Sequence, residues 1–235
     1  MDYLFLSKTM LFCGMSPDEI KSMMNCLQAV TKTYPRGAVI YHAGDAIHSV
    51  GMVLSGSVSI ENDDIWGNKS ILDRAVPGQI FAENYACLPN ELLMVNVVAA
   101  EPTEVLFLNI NKMFTVCSNT CMFHSRLVRN MLSISAQKSL NLSRRIMHTS
   151  SKSIRGRLLS YLSFQATQHG SLEFEIPFNR QQLADYLSVD RSAMSNELSK
   201  MQRSGLLTVE RNRFILKDTD SFTASSLPYQ GHPAN

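Results

Sequence analysis

Residues 179–207, NRQQLADYLSVDRSAMSNELSKMQRSGLL, leave the backbone few choices. Two helix-forming segments are separated only by Ser188, Val189 and Asp190, a spacing that suits a helix-turn-helix. Asn179 can cap the first helix, and Gln182, three residues on, can return the bond as a capping box. Leu183, Ala184 and Leu187 form its inward stripe. Asp190 is a ready cap for the second helix, where Met194, Leu198 and Met201 stand at i, i+4 and i+7 and form the buried side. Where turns of this kind usually carry glycine, Ser188 stands. That residue must either take a left-handed conformation at some cost or use a different turn.

The outward row of the second helix is the unusual part. A merely solvated face would carry Glu and Lys, but this one holds Ser192, Ser195, Asn196 and Ser199, with Arg191 at its N-terminal end. Short donors and acceptors with one guanidinium suit the base edges of a major groove. Downstream, LLTVE and RFILK, joined by Arg211-Asn212, read as a hairpin. Arg211 and Arg213 on that hairpin suit phosphate contacts, as do Asn179, Arg180, Gln181 and Lys200. An ordinary helical hairpin with a polar face is the plain alternative. Capping, turn length, inward stripe, polar outward row and basic wing together favour the nucleic-acid reading.

Charge is distributed to match. The 235 residues carry a net +2, yet residues 1–143 hold 10 Lys+Arg against 12 Asp+Glu, whereas residues 144–217 hold 12 against 6. An acidic front and a basic back are expected when one domain meets a polyanion. The 45% hydrophobic and 18% charged fractions are those of a globular protein. No apolar run approaches the roughly 18 residues of a membrane span, and MDYLFLSKTM lacks a signal-peptide layout. With five cysteines, an odd number, reduced thiols and a cytoplasmic location are expected.

Upstream, Ser16, Pro17 and Glu19 start a helix with a capping box, followed by Ile20, Met23, Met24 and Leu27 at helical spacing. From about Pro35 to Leu108, short Val-, Ile- and Leu-rich runs alternate with glycines, which predicts a β-roll or jelly roll. After Asn111 the pattern turns helical. Phe123, Leu127, Met131 and Ile134 form one apolar row, widened by Val128 and Leu132 and continued by Leu142 and Ile146. Such a band fits a helix packed on the roll and on a second copy, or one buried within a single subunit. Thr149-Ser150-Ser151 reads as a break, and IRGRLLSYLSF as a further helix ending near His169-Gly170. The fold class is thus α+β: residues 1–110 an N-terminal helix and antiparallel roll, 111–150 a long helix and hinge, 151–217 a winged helix-turn-helix, and 218–235 a loose tail.

PRGAVIYHAGD, MVLSGSVSI, AEPTEVLFL, IRGRLLSYL and the helix-turn-helix segment together resemble the CRP/FNR family of regulators, over about residues 10–217. The resemblance implies a cyclic-nucleotide-binding-type roll, a long dimerisation helix and a homodimer that binds a near-palindromic promoter site and contacts RNA polymerase. Its recognition helix often carries a Glu that accepts from cytosine and an Arg that reads guanine. Those positions are Ser192 and Asn196 here, so the operator should differ. Arg191 is the natural guanine reader, and Asn196 suits adenine.

Cyclic-nucleotide members of the family hold the phosphate with a Gly-Glu pair followed by Arg-Ser. In FAENYACLPNELLMVNVVAAEPTEV, Ala82-Glu83 stands for Gly-Glu, but Leu93 and Met94 stand for Arg-Ser. A cyclic phosphate would find no guanidinium, which argues against cAMP and cGMP. Phe81, Leu93 and Met94 would suit a partly apolar effector oriented by Glu83 and Asn84, with Ala82 between them. Alternatively these side chains simply fill the roll. The tight N-terminal cysteine group of the iron–sulfur members is missing. Cys87, Cys117 and Cys121 read as buried small hydrophobes before redox groups, and haem is left open through His42, His48 or a cysteine. A cupin metal site would want a close His-x-His and a following Glu, which His42 and His48 do not provide. A cupin reading also leaves the helix-turn-helix unexplained. No nucleophile–base pair stands out, so the expectation is a regulator and not an enzyme.

Overall fold

The computed structural model describes residues 1–63, 66, 69–88, 90–114 and 122–217. They form two compact units, Met1–Lys138 and Ser139 onward. In the first, α1 (Tyr3–Ser7) is capped by Asp2, and α2 (Pro17–Cys26) carries the expected Ser16/Glu19 capping box and proline start. Helix α1 escapes a periodicity reading because five residues make little more than one turn.

Eight strands follow: β1 (Val30–Tyr34), β2 (Val39–Tyr41), β3 (Ser49–Ser55), β4 (Val58–Asp63), β5 (Lys69–Ala75), β6 (Ile80–Phe81), β7 (Asn96–Ala99) and β8 (Thr103–Asn109). A single turn of helix, α3 (Glu83–Ala86), separates β6 from β7. The strands form two antiparallel sheets, ordered β1-β8-β3-β6 and β2-β7-β4-β5. The register sets Val50 opposite Leu108 and Met52 opposite Leu106, all four fully buried. Both sheets feed one core, with Val58 and Val97 from the second joining Val50, Met52 and Leu106 from the first. Leu6, Phe12 and Met23 of the N-terminal segment complete that core, together with Leu127, Met131 and Ile134. Covering both faces of β3 and β8 explains why those strands read as continuous apolar runs instead of alternating ones.

The helical stretch after Asn111 comprises α4 (Ile110–Phe114) and α5 (Met122–Thr149). Cys117 and Cys121 lie outside the described residues, as does the tail from residue 218. Leu127, Met131 and Ile134 of the predicted apolar row are buried, while Leu132, Leu142 and Ile146 are exposed at 68%, 60% and 68%.

The second unit begins with the last turns of α5. Helix α6 (Ile154–His169) is capped by Ser153 and ends on Gly170 in the left-handed region at φ +60°. Then come β9 (Glu173–Glu175), α7 (Arg180–Leu187), α8 (Arg191–Arg203), β10 (Leu207–Glu210) and β11 (Arg213–Leu216), with the three strands in an antiparallel sheet ordered β10-β11-β9. Leu158, Leu162, Phe174, Leu183, Met194 and Phe214 are among the residues of its separate core. Helices, turn and hairpin thus fall where the sequence places them. Among the described residues, no helix is long and apolar enough to cross a membrane.

Candidate nucleic-acid interface and effector pocket

Helix α7 starts on a complete capping box: Asn179 Oδ1 accepts from the Gln182 amide at 2.9 Å, and Gln182 Oε1 accepts from the Asn179 amide at 2.9 Å. Gln181 donates to Asp185 Oδ1 at 2.8 Å one turn on. Arg180 lies 5.5 Å above the Phe214 ring, and partial burial lowers its pKa from the ordinary arginine value. Such a shift leaves a guanidinium charged near neutrality.

Ser188 resolves the question left by the missing glycine: it adopts the left-handed conformation, at φ +53° and ψ +53°. Asp190 then caps α8, its Oδ1 accepting from the Ala193 amide at 2.7 Å. Met194, Leu198 and Met201 are buried, which turns the predicted row outward: Arg191, Ser192, Asn196 and Ser199 are exposed and Ser195 is half-buried. Ser195 Oγ donates to Arg191 O at 2.9 Å, Ser199 Oγ to Ser195 O at 3.0 Å, and Arg203 Nε to Ser199 O at 3.4 Å. The two hydroxyls thus direct their protons back along the helix and present lone pairs outward.

A groove of about 690 Å³ gathers several of the expected contacts, being lined by Asn179, Arg180, Gln181, Arg191, Arg211 and Asn212 among others. Arg191, expected to read bases, therefore lines the same groove as four of the six residues expected to meet phosphate. Arg211 sits at the hairpin tip with φ +53°. Asn212, to which the sequence assigns only a place in the hairpin joint, also ties the wing to the entry of α7: its Nδ2 donates to Ile176 O at 3.2 Å, and the Ile176 amide donates to Asn212 O at 3.0 Å. An Asn in a two-residue hairpin loop was the available signal. Lys200 and Arg213 stand differently. Lys200 Nζ is 3.7 Å from Glu197. Arg213 pairs with Glu173, whose hydrogen bond and charge raise the arginine pKa.

The six effector-pocket candidates are split between core and surface. Phe81 and Leu93 are buried, Asn84 and Met94 are exposed, and Ala82 takes the left-handed conformation at φ +60° just before α3. The Phe81 ring rests on Gly51 of β3, where any Cβ would come within 2.2 Å of it. Glu83 is buried, and its carboxylate lies 2.7 Å from Lys138 Nζ, which also donates to Ile80 O at 2.8 Å. Cys87 corrects the expectation of a buried thiol: it follows the last turn of α3 and is exposed. Partial burial of its sulfur and the charge of Glu83 push its pKa up, which disfavours the reactive thiolate. Among the described residues, no group of three or more His, Cys, Asp and Glu is placed to hold a metal ion.

Comparison with known proteins finds a family model for a stretch of each unit. The model of the cyclic nucleotide-binding domain matches residues 31–120, and that of the Crp-like helix-turn-helix domain matches residues 156–224. The cyclic AMP receptor protein of Thermus thermophilus is 31% identical over 98 residues, 42% of this chain and 44% of that protein, so the match spans less than half of the relative's length. Among solved structures, OCPA-complexed CprK aligns with a TM-score of 0.53 at 16% identity, covering 83% of this chain and 91% of the other. The c-di-GMP-responsive global regulator CLP of Xanthomonas campestris aligns with a TM-score of 0.53 at 17% identity, covering 86% and 99%. Both likenesses are likenesses of fold. The class is a cyclic-nucleotide-binding-type roll followed by a winged helix-turn-helix. The chain belongs to the CRP/FNR family of transcription regulators.

Proposed function

We propose that the chain acts as a homodimeric, sequence-specific DNA-binding regulator in the cytoplasm, working with RNA polymerase and governed by a small-molecule or redox signal other than cAMP that is received in the roll. The observation that carries the reading is the outward row of α8 beside the groove that Arg191 shares with Arg180 and Arg211. Arg191 would read guanine and Asn196 adenine. Ser195 and Ser199, their protons already committed, would accept from exocyclic amino groups of cytosine or adenine. Arg180, Gln181, Arg211 and Lys200 supply phosphate contacts.

Exposed Leu132, Leu142 and Ile146 on α5 support self-association through that helix. Two copies would present two reading helices to half-sites one helical turn, about 34 Å, apart. Leu93 and Met94 stand where a cyclic phosphate would need Arg-Ser, and the Glu83 carboxylate is already paired with Lys138, which together weigh against cAMP. In-vitro selection of DNA sites by the purified protein at fixed salt, with and without a metabolite extract, tests the proposal. A two-fold-symmetric site should emerge, with enrichment that changes when extract is added. Absence of any enriched sequence under both conditions would overturn the reading of α8.

A further inference from the structure

The end of α7 is held from outside. The last carbonyls of a helix have no partner within it, and they carry the negative end of its dipole. Arg145 of α5 donates from Nε to Tyr186 O and from Nη2 to Asp185 O, both at 3.1 Å. Arg157 of α6 donates from Nη1 to Leu187 O at 2.9 Å and to Ser188 O at 2.8 Å, and from Nε to Ser151 O at 2.8 Å. Four successive carbonyls, from Asp185 to Ser188, thus accept from two guanidinium groups. The last of the four belongs to the residue whose left-handed backbone makes the turn into α8.

The placement of Arg157 is itself built in. A Cβ on neighbouring Gly156 would come within 2.0 Å of Ser151 Oγ and 2.9 Å of Ser151 Cβ, so glycine lets the first turn of α6 lie close against residue 151. Ser153 fixes that turn by accepting from the Gly156 amide at 3.0 Å. Arg157 is half-buried, its hydrogen bonds run to backbone carbonyls, and it does not line the groove of Arg191. A guanidinium so engaged is suited to holding a turn and poorly suited to meeting DNA.

We propose that Arg157, assisted by Arg145, is a positioning residue for DNA recognition: it holds Ser188 in the left-handed conformation and thereby sets the direction of α8. The inference rests on α8 being the base-reading helix. It also accounts for a serine at a turn where glycine is usual, since the bonds to Leu187 O and Ser188 O offset the cost of a side chain at positive φ.

The test uses the full-length chain as four proteins: wild type, Arg157→Ala, Ser188→Gly and the double variant. Each is measured for binding to a selected duplex and to a scrambled one, and for its thermal unfolding midpoint. Arg157→Ala should lower the ratio of specific to non-specific binding by about tenfold, with scrambled-duplex binding and its salt dependence within about twofold of wild type. Ser188→Gly in the same chain should restore most of that ratio, because glycine takes the turn unaided. Equal losses on both duplexes would identify a phosphate contact and overturn the proposal. So would a folded double variant without recovery. If Arg157→Ala does not fold, Arg157→Lys keeps the charge without the planar fork and is judged by the same recovery. If the wild type prefers no duplex, the DNA-reading proposal fails on its own. The midpoints then decide whether Arg157 acts through Ser188: a smaller loss from Arg157→Ala in the Ser188→Gly background supports it, and additive losses overturn it.

Discussion

The outward row of α8 and the Glu83 carboxylate of the roll are treated in opposite ways. On α8, Arg191, Ser192, Asn196 and Ser199 remain exposed, while capping bonds and a buried stripe fix the helix that carries them. In the roll, Phe81 and Leu93 belong to the core, and the Glu83 carboxylate is engaged by Lys138. A surface that meets a polyanion can stand ready in water. A carboxylate removed from water needs a partner within its own chain.

Cutting into the roll should produce the largest effect. Phe81→Ala leaves a void over Gly51, and denaturant unfolding should reveal a loss of about 3–5 kcal/mol. A loss below about 1 kcal/mol would mean that the ring is not part of the packed interior. Removing an exposed reader should leave stability alone and change recognition. Arg191→Ala is expected to weaken binding to the selected site by about 1–3 kcal/mol and to relax one base position in a repeated selection. Unchanged base preferences would remove Arg191 from the readout.

Within the wing the contrast becomes finer. Arg211→Ala should reduce the slope of log affinity against log salt by about one, on specific and scrambled DNA alike. Arg213→Ala should reduce it less, since that guanidinium is held by Glu173. Equal reductions would show that the ion pair opens on DNA. The smallest effect concerns His148 at the end of α5, which is fully buried. Burial first, and then the charge of Arg144, lower its pKa from 6.5. The unfolded chain therefore takes up a proton more readily than the folded one. The stability of the second unit should be fully present above about pH 6.5 and decline as pH falls through that value toward the lowered folded pKa. Unfolding free energies compared at about pH 7.5 and 5.5 should show this decline, and His148→Gln should diminish it.

The features legible in the sequence are local ones. Both capping boxes and the Asp190 cap depend on residues three apart, and the inward stripe of α8 and the hairpin on short stretches of neighbouring sequence. What was not legible involves partners brought together by the fold. Arg213 meets Glu173 only because β11 pairs with β9, 40 residues apart in sequence. Phe81 sits over Gly51, and Lys138 reaches Glu83, across the roll and along α5. The sequence places Leu93 and Met94 in one pocket, yet Leu93, whose backbone bonds Asp45 O and the Gly44 amide, is 3% exposed and Met94 is 75% exposed. The glycine at position 51 was a usable sign, since a glycine inside a strand marks a close approach.

The ladder of side-chain bonds from Arg203 through Ser199 and Ser195 to Arg191 has a consequence for the thermodynamics of association. Side chains free to rotate must surrender their rotamers when a partner arrives, and that entropy is subtracted from affinity. For Ser195, Ser199 and Arg203 that loss is already incurred during folding, so under the proposed reading a duplex meets two serine hydroxyls whose disorder has been removed in advance.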